Sequence, residues 1–191
     1  MSKIILQSVL MLTVMTLVTG VIYPCFCTAL AQAFFSPQAN GSLIKNEEGV
    51  VIGSDLLGQQ FSSDKYFSSR PSATSPYPYN ASGSGGSNLG PTNKALIERM
   101  KEKITSLKNA RPESTALIPI DLVTTSASGL DPHISIESAN YQIDRIAAVR
   151  NLPTPAIMGL IKQCSESSQF MILGEPRVNV LRLNYMLDRL K

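Results

Sequence analysis

"IILQSVLMLTVMTLVTGVIYPCFCTALAQAFF" runs from Ile4 to Phe35 without one charged side chain. A helix needs about 20 apolar residues to cross the hydrocarbon core of a bilayer, and Ile4 to Tyr23 alone supplies that length. The competing reading is a cleaved secretory signal, with Ala31-Gln32-Ala33 as a small-x-small cleavage site. Apolar cores of signals run about 7–15 residues, so the length favours an uncleaved anchor. Pro24 has no amide hydrogen and is expected to kink the helix or mark its exit. Tyr23, Phe26, Phe34 and Phe35 suit the membrane–water interface.

The flanks suggest an orientation. Lys3 precedes the run, and the first charges after it are Lys45, Glu47 and Glu48. Positive-inside logic places the N-terminus in the cytoplasm and everything after the anchor outside. No second apolar run approaches spanning length, so a single pass is expected. Residues 1–35 are read as cytoplasmic tip and anchor, and residues 36–191 as an extracytoplasmic α+β domain.

Composition narrows the partners. Lys3 is the only one of the 17 basic residues before Lys45, and all 14 acidic residues follow Lys45. The outer domain is therefore nearly balanced, and no nucleic-acid partner is expected, because such proteins cluster positive charge on one face. Tryptophan is absent, which also argues against a base-stacking platform. The three cysteines, Cys25, Cys27 and Cys164, make neither a disulfide framework nor a zinc spacing. They read as buried or membrane-embedded thiols.

Within the outer domain, Ser42 to Ser54 reads as a hairpin turning at Asn46–Gly49. The Ser/Gly/Pro-rich segment 61–92 reads as a long loop, a feature usually functional or disordered. Its aromatics Tyr66, Phe67, Tyr77 and Tyr79 offer apolar surface for a partner. Asn93 to Asn109 predicts a helix with Leu96, Met100, Ile104 and Leu107 as its stripe, stopped by Pro112. "LIPIDLVTTS" (Leu117–Ser126) predicts a buried strand. Ser135 predicts an N-cap for a helix turning Ala139, Ile143, Ile146 and Val149 inward. Thr154 is expected to cap a third helix, with Pro155 at its first position. Residues 177–190 stay open between strand and helix. The irregular order of strands and helices indicates α+β architecture.

Three stretches carry letters of catalysis. "GGSNLGPT" (Gly85–Thr92) has P-loop glycine spacing, but Pro91 stands where the phosphate-contacting lysine belongs. Its glycines fit sharp turns or close approach better. Ser62-x-x-Lys65 has the spacing of penicillin-binding nucleophiles without their companion motifs. "SASGLDPHIS" (Ser126–Ser135) holds the chain's single histidine, His133, two residues after Asp131. Neither Ser126 nor Ser128 lies in a nucleophile elbow, and one histidine makes a poor metal site. A turn at Gly129 and Asp131-Pro132, leading to the Ser135 cap, accounts for the stretch. No catalytic residue, metal ligand or convincing cofactor site is assigned.

"YFSSRPSA" (Tyr66–Ala73), "YNASGSGGSNLGPTN" (Tyr79–Asn93), "TTSASGLDPHIS" (Thr124–Ser135) and "GEPRVNVLRLN" (Gly174–Asn184) follow the anchor in that order. In this the chain resembles the C subunit of the bacterial Kdp-type potassium-transporting P-type ATPase. The resemblance implies a non-catalytic accessory subunit of an ATP-driven, high-affinity potassium import complex in the bacterial inner membrane. Its implied partners are a potassium-conducting subunit, an ATP-hydrolysing P-type subunit, a small membrane peptide and membrane lipid. K+ and ATP then act at the level of the complex.

The family also suggests a catalytic chaperone that raises the ATP affinity of the hydrolysing subunit. The segment concerned would be Ser82, Gly83, Gly85, Gly86, Ser87 and Asn88. Candidates to face a partner are Tyr66, Phe67, Arg70, Pro71, Tyr77 and Tyr79, with Asn80, Asn88, Leu89, Asp131 and His133. His133 is included because a histidine's charge can change near physiological pH. The alternatives from other classes are a membrane-anchored serine hydrolase and a small-ligand-binding module.

Overall fold

A computed structural model describes residues 2–110 and 115–190. The chain divides into two compact units, Met1–Ile52 and Gly53–Lys191. In the first, α1 (Ser2–Leu17), a π-helical stretch (Val18–Ile22) and α2 (Tyr23–Phe34) form one apolar helix. Its 33 residues span about 50 Å at 1.5 Å per residue, ample for a membrane crossing. The helix runs on ten residues past Pro24, so this proline is not the exit. Its ring would crowd the carbonyl four residues back, and a wider π turn sits directly before it to absorb that conflict. Thr13 and Thr19 donate their hydroxyls to the carbonyls of Val9 (2.8 Å) and Met15 (2.7 Å). Neither hydroxyl is left to be satisfied by lipid.

A single turn, α3 (Ser36–Ala39), leads to the expected hairpin of β1 (Leu43–Lys45) and β2 (Val51–Ser54). The Asn46 side chain organises its turn by accepting from the amides of Glu48 and Val50, and Gly49 takes φ +79°.

The second unit is the mixed helix-and-sheet domain that the sequence predicts. α4 (Lys94–Asn109) is capped by Asn93, whose side chain accepts from the Ala95 amide at 2.9 Å. Its stripe of Leu96, Met100, Ile104 and Leu107 is only half-buried. Pro112, expected to end it, lies outside the described residues. β3 (His133–Ser135) runs into α5 (Ile136–Arg150), followed by α6 (Thr154–Cys164), β4 (Ser165–Glu166), β5 (Arg177–Asn179) and α7 (Val180–Asp188). β5 is the central strand of an antiparallel sheet ordered β3-β5-β4. Its register sets Ile134 opposite Val178, both buried. The three helices close over this pair with Ile143, Ile146, Ile157, Leu160, Leu183 and Leu187.

Three local expectations need correction, and one segment left open is resolved. Leu117–Ser126 is not a strand but holds one 3-10 turn, Ile120–Leu122. Pro119 cannot donate to a ladder. Asp121 is drawn instead to the start of α5, accepting from the Ser135 amide (2.7 Å), the Ser135 hydroxyl (3.2 Å) and the Ser138 hydroxyl. Leu117 and Ile120 are left exposed.

Val149 is exposed too, although Ala139, Ile143 and Ile146 are buried as predicted. Continuing that spacing by four reaches Arg150, which lays its stem inward and bonds the Lys65 carbonyl and Asp188. α6 begins one residue earlier than expected, with Pro153 at the cap and Thr154 already helical. In the ambiguous tail, only Arg177–Asn179 is strand. The Asn179 side chain accepts from the Arg182 amide at 3.1 Å and starts a helix there.

Candidate interaction site

Residues 55–93 contain no helix or strand, yet the loop is anchored along its length. The Phe67 ring is 0% exposed and belongs to the core. Its amide donates to Asn184 Oδ1 at 2.8 Å, and its carbonyl accepts from Asn184 Nδ2 at 2.9 Å. Gln142 treats Ser68 the same way, at 2.7 Å and 3.2 Å. Two side-chain amides from two helices thus replace a neighbouring strand for this backbone, which would otherwise be buried with unpaired polar groups. Arg145 bonds the carbonyls of Asp64 and Tyr66, and Arg150 bonds that of Lys65. The Tyr66 hydroxyl donates to Asp188 at 2.9 Å, and Arg150 lies over its ring at 4.9 Å.

Further along, the loop docks on the corner at Ser126–Ser135. Arg70 reaches Asp131 at 3.1 Å and the Thr125 carbonyl at 3.3 Å. Ser72 donates to the Gly129 carbonyl at 2.7 Å, and the Tyr79 hydroxyl donates to the Arg70 carbonyl. Burial pushes the Tyr79 phenol up to about 12; an Asp131 contribution adds to this, while Ser69 and Arg70 oppose it. Gly85 donates its amide to the Ser128 carbonyl at 2.8 Å. Gly86 comes so close to the corner that a Cβ there would sit 2.8 Å from the Ala127 carbonyl oxygen. Gly129 takes φ +67°, the left-handed turn anticipated from the sequence.

The corner's serines are occupied locally. Ser126 Oγ accepts from the Gly129 amide and Ser128 Oγ from the Leu130 amide. Asp131 Oδ1 accepts from the His133 amide across Pro132, and Ser135 caps α5 through the Ser138 amide. The imidazole lies between two carboxylates, 3.5 Å from Asp131 and 4.0 Å from Glu166. Arg177 holds Glu166 at 3.0 Å. Arg70, Asp131, His133, Glu166 and Arg177 therefore form a continuous line of polar side chains. Burial pushes the Asp131 carboxyl up, but hydrogen bonds from His133 and the Arg70 charge outweigh it and leave it below its ordinary range. The geometry is that of a structural ion-pair network, not a serine activated by a base.

The glycine–serine segment is held by hydrogen bonds within the chain as well. The amides of Ser82, Gly83 and Gly85 are spent on Asn80 Oδ1, the Asn80 carbonyl and the Ser128 carbonyl. A P-loop needs such amides directed at its ligand. Lys65, the partner in the Ser62-x-x-Lys65 spacing, places its ammonium over the Tyr66 ring at 5.0 Å. Burial raises the pKa of the half-buried Cys164 thiol, which suits packing better than reactivity.

Among the residues singled out from sequence, Phe67 and Asn80 are buried, so neither offers surface to a partner. Tyr66, Arg70, Pro71, Tyr79, Leu89, Asp131 and His133 are half-buried. So are Gly85, Gly86 and Ser87, whereas Tyr77, Ser82, Gly83 and Asn88 are exposed. Sequence reasoning missed Asn184, Gln142, Arg145 and Arg150, which hold the loop. The available signal was a polar residue, Gln142, set among the inward-facing positions of α5.

A sequence profile described as "KdpC: K+-transporting ATPase, c chain" matches residues 5–189. The chain belongs to this family. It is similar to the "Potassium-transporting ATPase KdpC subunit" of Methylococcus capsulatus, 54% identical over 184 residues covering 96% of each chain. The protein of the same description from Paraburkholderia phytofirmans is 52% identical over 183 residues, 96% of this chain and 95% of that one. That from Burkholderia ambifaria is 51% identical over 188 residues, 98% and 97% respectively. KdpC membership covers the apolar helix and the α+β domain alike.

Proposed function

We propose that this KdpC-family chain is the non-catalytic accessory subunit of a potassium-importing ATPase, working by contact with the other subunits. The observation that carries this reading is the loop 55–93. Two helices and the Ser126–Ser135 corner hold it firmly, while Tyr77, Ser82, Gly83 and Asn88 remain presented to solvent. Loops held on a rigid scaffold are where binding residues concentrate. The apolar helix is the anchor, with its N-terminus in the cytoplasm of a bacterial inner membrane. The α+β domain lies outside, over the potassium-conducting subunit. On that topology ATP is across the membrane, so a raised ATP affinity in the hydrolysing subunit is a coupling free energy passed through the complex. The spent amides of Ser82, Gly83 and Gly85 favour this over direct contact with ATP.

The test is recovery of the tagged chain from mild-detergent membranes of potassium-starved cells, with ATPase activity measured with and without potassium. Co-recovery of a P-type ATPase with potassium-stimulated hydrolysis is expected. A chain recovered alone overturns the proposal.

A further inference from the structure

A cavity of about 450 Å³ opens between α4, α5 and the loop 55–93. Small-molecule pockets run about 300–1,000 Å³, so the space suits a compact ligand. Phe61 and Leu107, both half-buried, and the buried Leu122 give it apolar walls. Its charged lining is one-sided. Among the described residues, Arg70, Lys103 and Arg145 line it against one acid, Asp64. No residue of the Ser82–Asn88 segment borders it among those described.

The cations differ in what answers them. Arg70 is held by Asp131 at 3.1 Å. Arg145 has Asp64 at 3.8 Å, and its fork donates to the carbonyls of Asp64 and Tyr66 and to Gln142 Oε1. The Lys103 ammonium has no hydrogen bond and no ion pair among the described residues. Its own helix supplies none, since the residues one turn away are Arg99, Met100, Ser106 and Leu107. Burial and the Arg145 charge push the Lys103 pKa below its ordinary value. A half-buried cation without a counter-charge is costly, so the cavity gains by taking up negative charge.

We propose that this cavity is a binding site for a small phosphate monoester, its phosphate against Lys103 and Arg145 and its apolar body against Phe61, Leu107 and Leu122. The site goes beyond the accessory-subunit reading and does not depend on it. Phosphate is favoured over carboxylate on two grounds. A monoester carries a charge of about −1.5 to −2 near neutral pH, enough to answer both cations. The Arg145 fork is already engaged, so it offers charge and not the planar two-pronged contact that suits a carboxylate, whereas lysine recognises phosphate as a point charge. Ser62 and Ser106, both exposed, line the same cavity and supply hydroxyl donors. A ligand seated there bridges α4 to the loop. α4 buries none of its own residues, so its order gains most from the bridge.

The probe is phenyl phosphate, added to the full chain in an uncharged detergent. Broadening of its phosphorus resonance, a saturable rise in melting midpoint and slowed amide exchange across Lys94–Asn109 are expected. Lys103→Met should weaken binding about tenfold or more, as loss of a charge-assisted hydrogen bond does. Its ligand-free midpoint should hold or rise, because an unanswered charge has been removed. A wild-type chain that neither broadens the resonance nor gains in midpoint overturns the proposal without reference to any variant. An undiminished response in Lys103→Met does so too. Inorganic phosphate acting as strongly as phenyl phosphate would mean an adventitious ion only, and benzoate acting as strongly would mean a site indifferent to phosphate. Either result overturns the proposal.

Discussion

The guanidinium of Arg70 lies 3.1 Å from the carboxylate of Asp131, tying the middle of the long loop to the Ser126–Ser135 corner. Both side chains are about three-quarters buried, and Arg70 Nε has no hydrogen-bond partner among the described residues. Removing either member strands the other charge in a half-dry site. Arg70→Ala is therefore expected to lower stability by about 1–3 kcal/mol, as loss of a charge-assisted hydrogen bond does. Thermal melting of the detergent-solubilised full chain measures it. A midpoint within error of wild type would show that the pair contributes nothing.

Two acid–base groups in the same corner give opposite pH dependences. The Asp131 carboxyl is held below the ordinary 3.8. The stability it contributes is present above that value and lost as pH falls through the lower folded one. Asp131→Asn should flatten the acid limb of a melting-versus-pH profile. Tyr79, pushed up to about 12 from 10.0, contributes stability that is present below pH 10 and lost as pH rises toward 12. Tyr79→Phe should remove the most alkaline phenolate transition from an ultraviolet titration. An unchanged titration would mean that the phenol is not buried against Arg70.

The glycines of the "GSGG" run divide by what surrounds them. A Cβ on Gly85 meets nothing within 4 Å, while one on Gly86 would stand 2.8 Å from the Ala127 carbonyl oxygen. Gly85→Ala should change stability by no more than about 0.5 kcal/mol, as open surface substitutions do. Gly86→Ala should push loop and corner apart and cost about 1–3 kcal/mol, as overpacking does. Melting the two variants side by side checks the ordering. Equal midpoints would return the run to mere flexibility.

Features that depend on neighbours in sequence were the legible ones. The uncharged run to Phe35, the Asn93 and Ser135 caps, the Gly129 turn and the inward Ala139, Ile143 and Ile146 all follow from local pattern. Failures came where a distant residue decides. "LIPIDLV" has the letters of a strand, but Asp121 finds its partners at Ser135 and Ser138 and bends the segment away. Phe67 sits in a segment with the composition of an open loop, yet Asn184, 117 positions away, satisfies its backbone and lets the ring enter the core. Its aromatic surface is consumed inside the chain, and no local pattern carries that information.

The division between Phe67 and Tyr77 makes the interaction reading testable at single residues. Phe67 is fully buried, whereas Tyr77 is 57% exposed on the same loop. Phe67→Ala should cost about 3–5 kcal/mol through lost burial and a cavity. It should depress melting midpoint and potassium-stimulated ATPase activity of the complex together. Tyr77→Ser combined with Asn88→Asp alters only exposed surface, so the midpoint should hold while complex recovery or potassium-stimulated activity falls severalfold. ATPase assays on complexes purified through the tagged chain, paired with melting of the chain itself, separate the two effects. If the exposed double variant retains full activity and recovery, the solvent-facing part of the loop is not where the chain meets its partner.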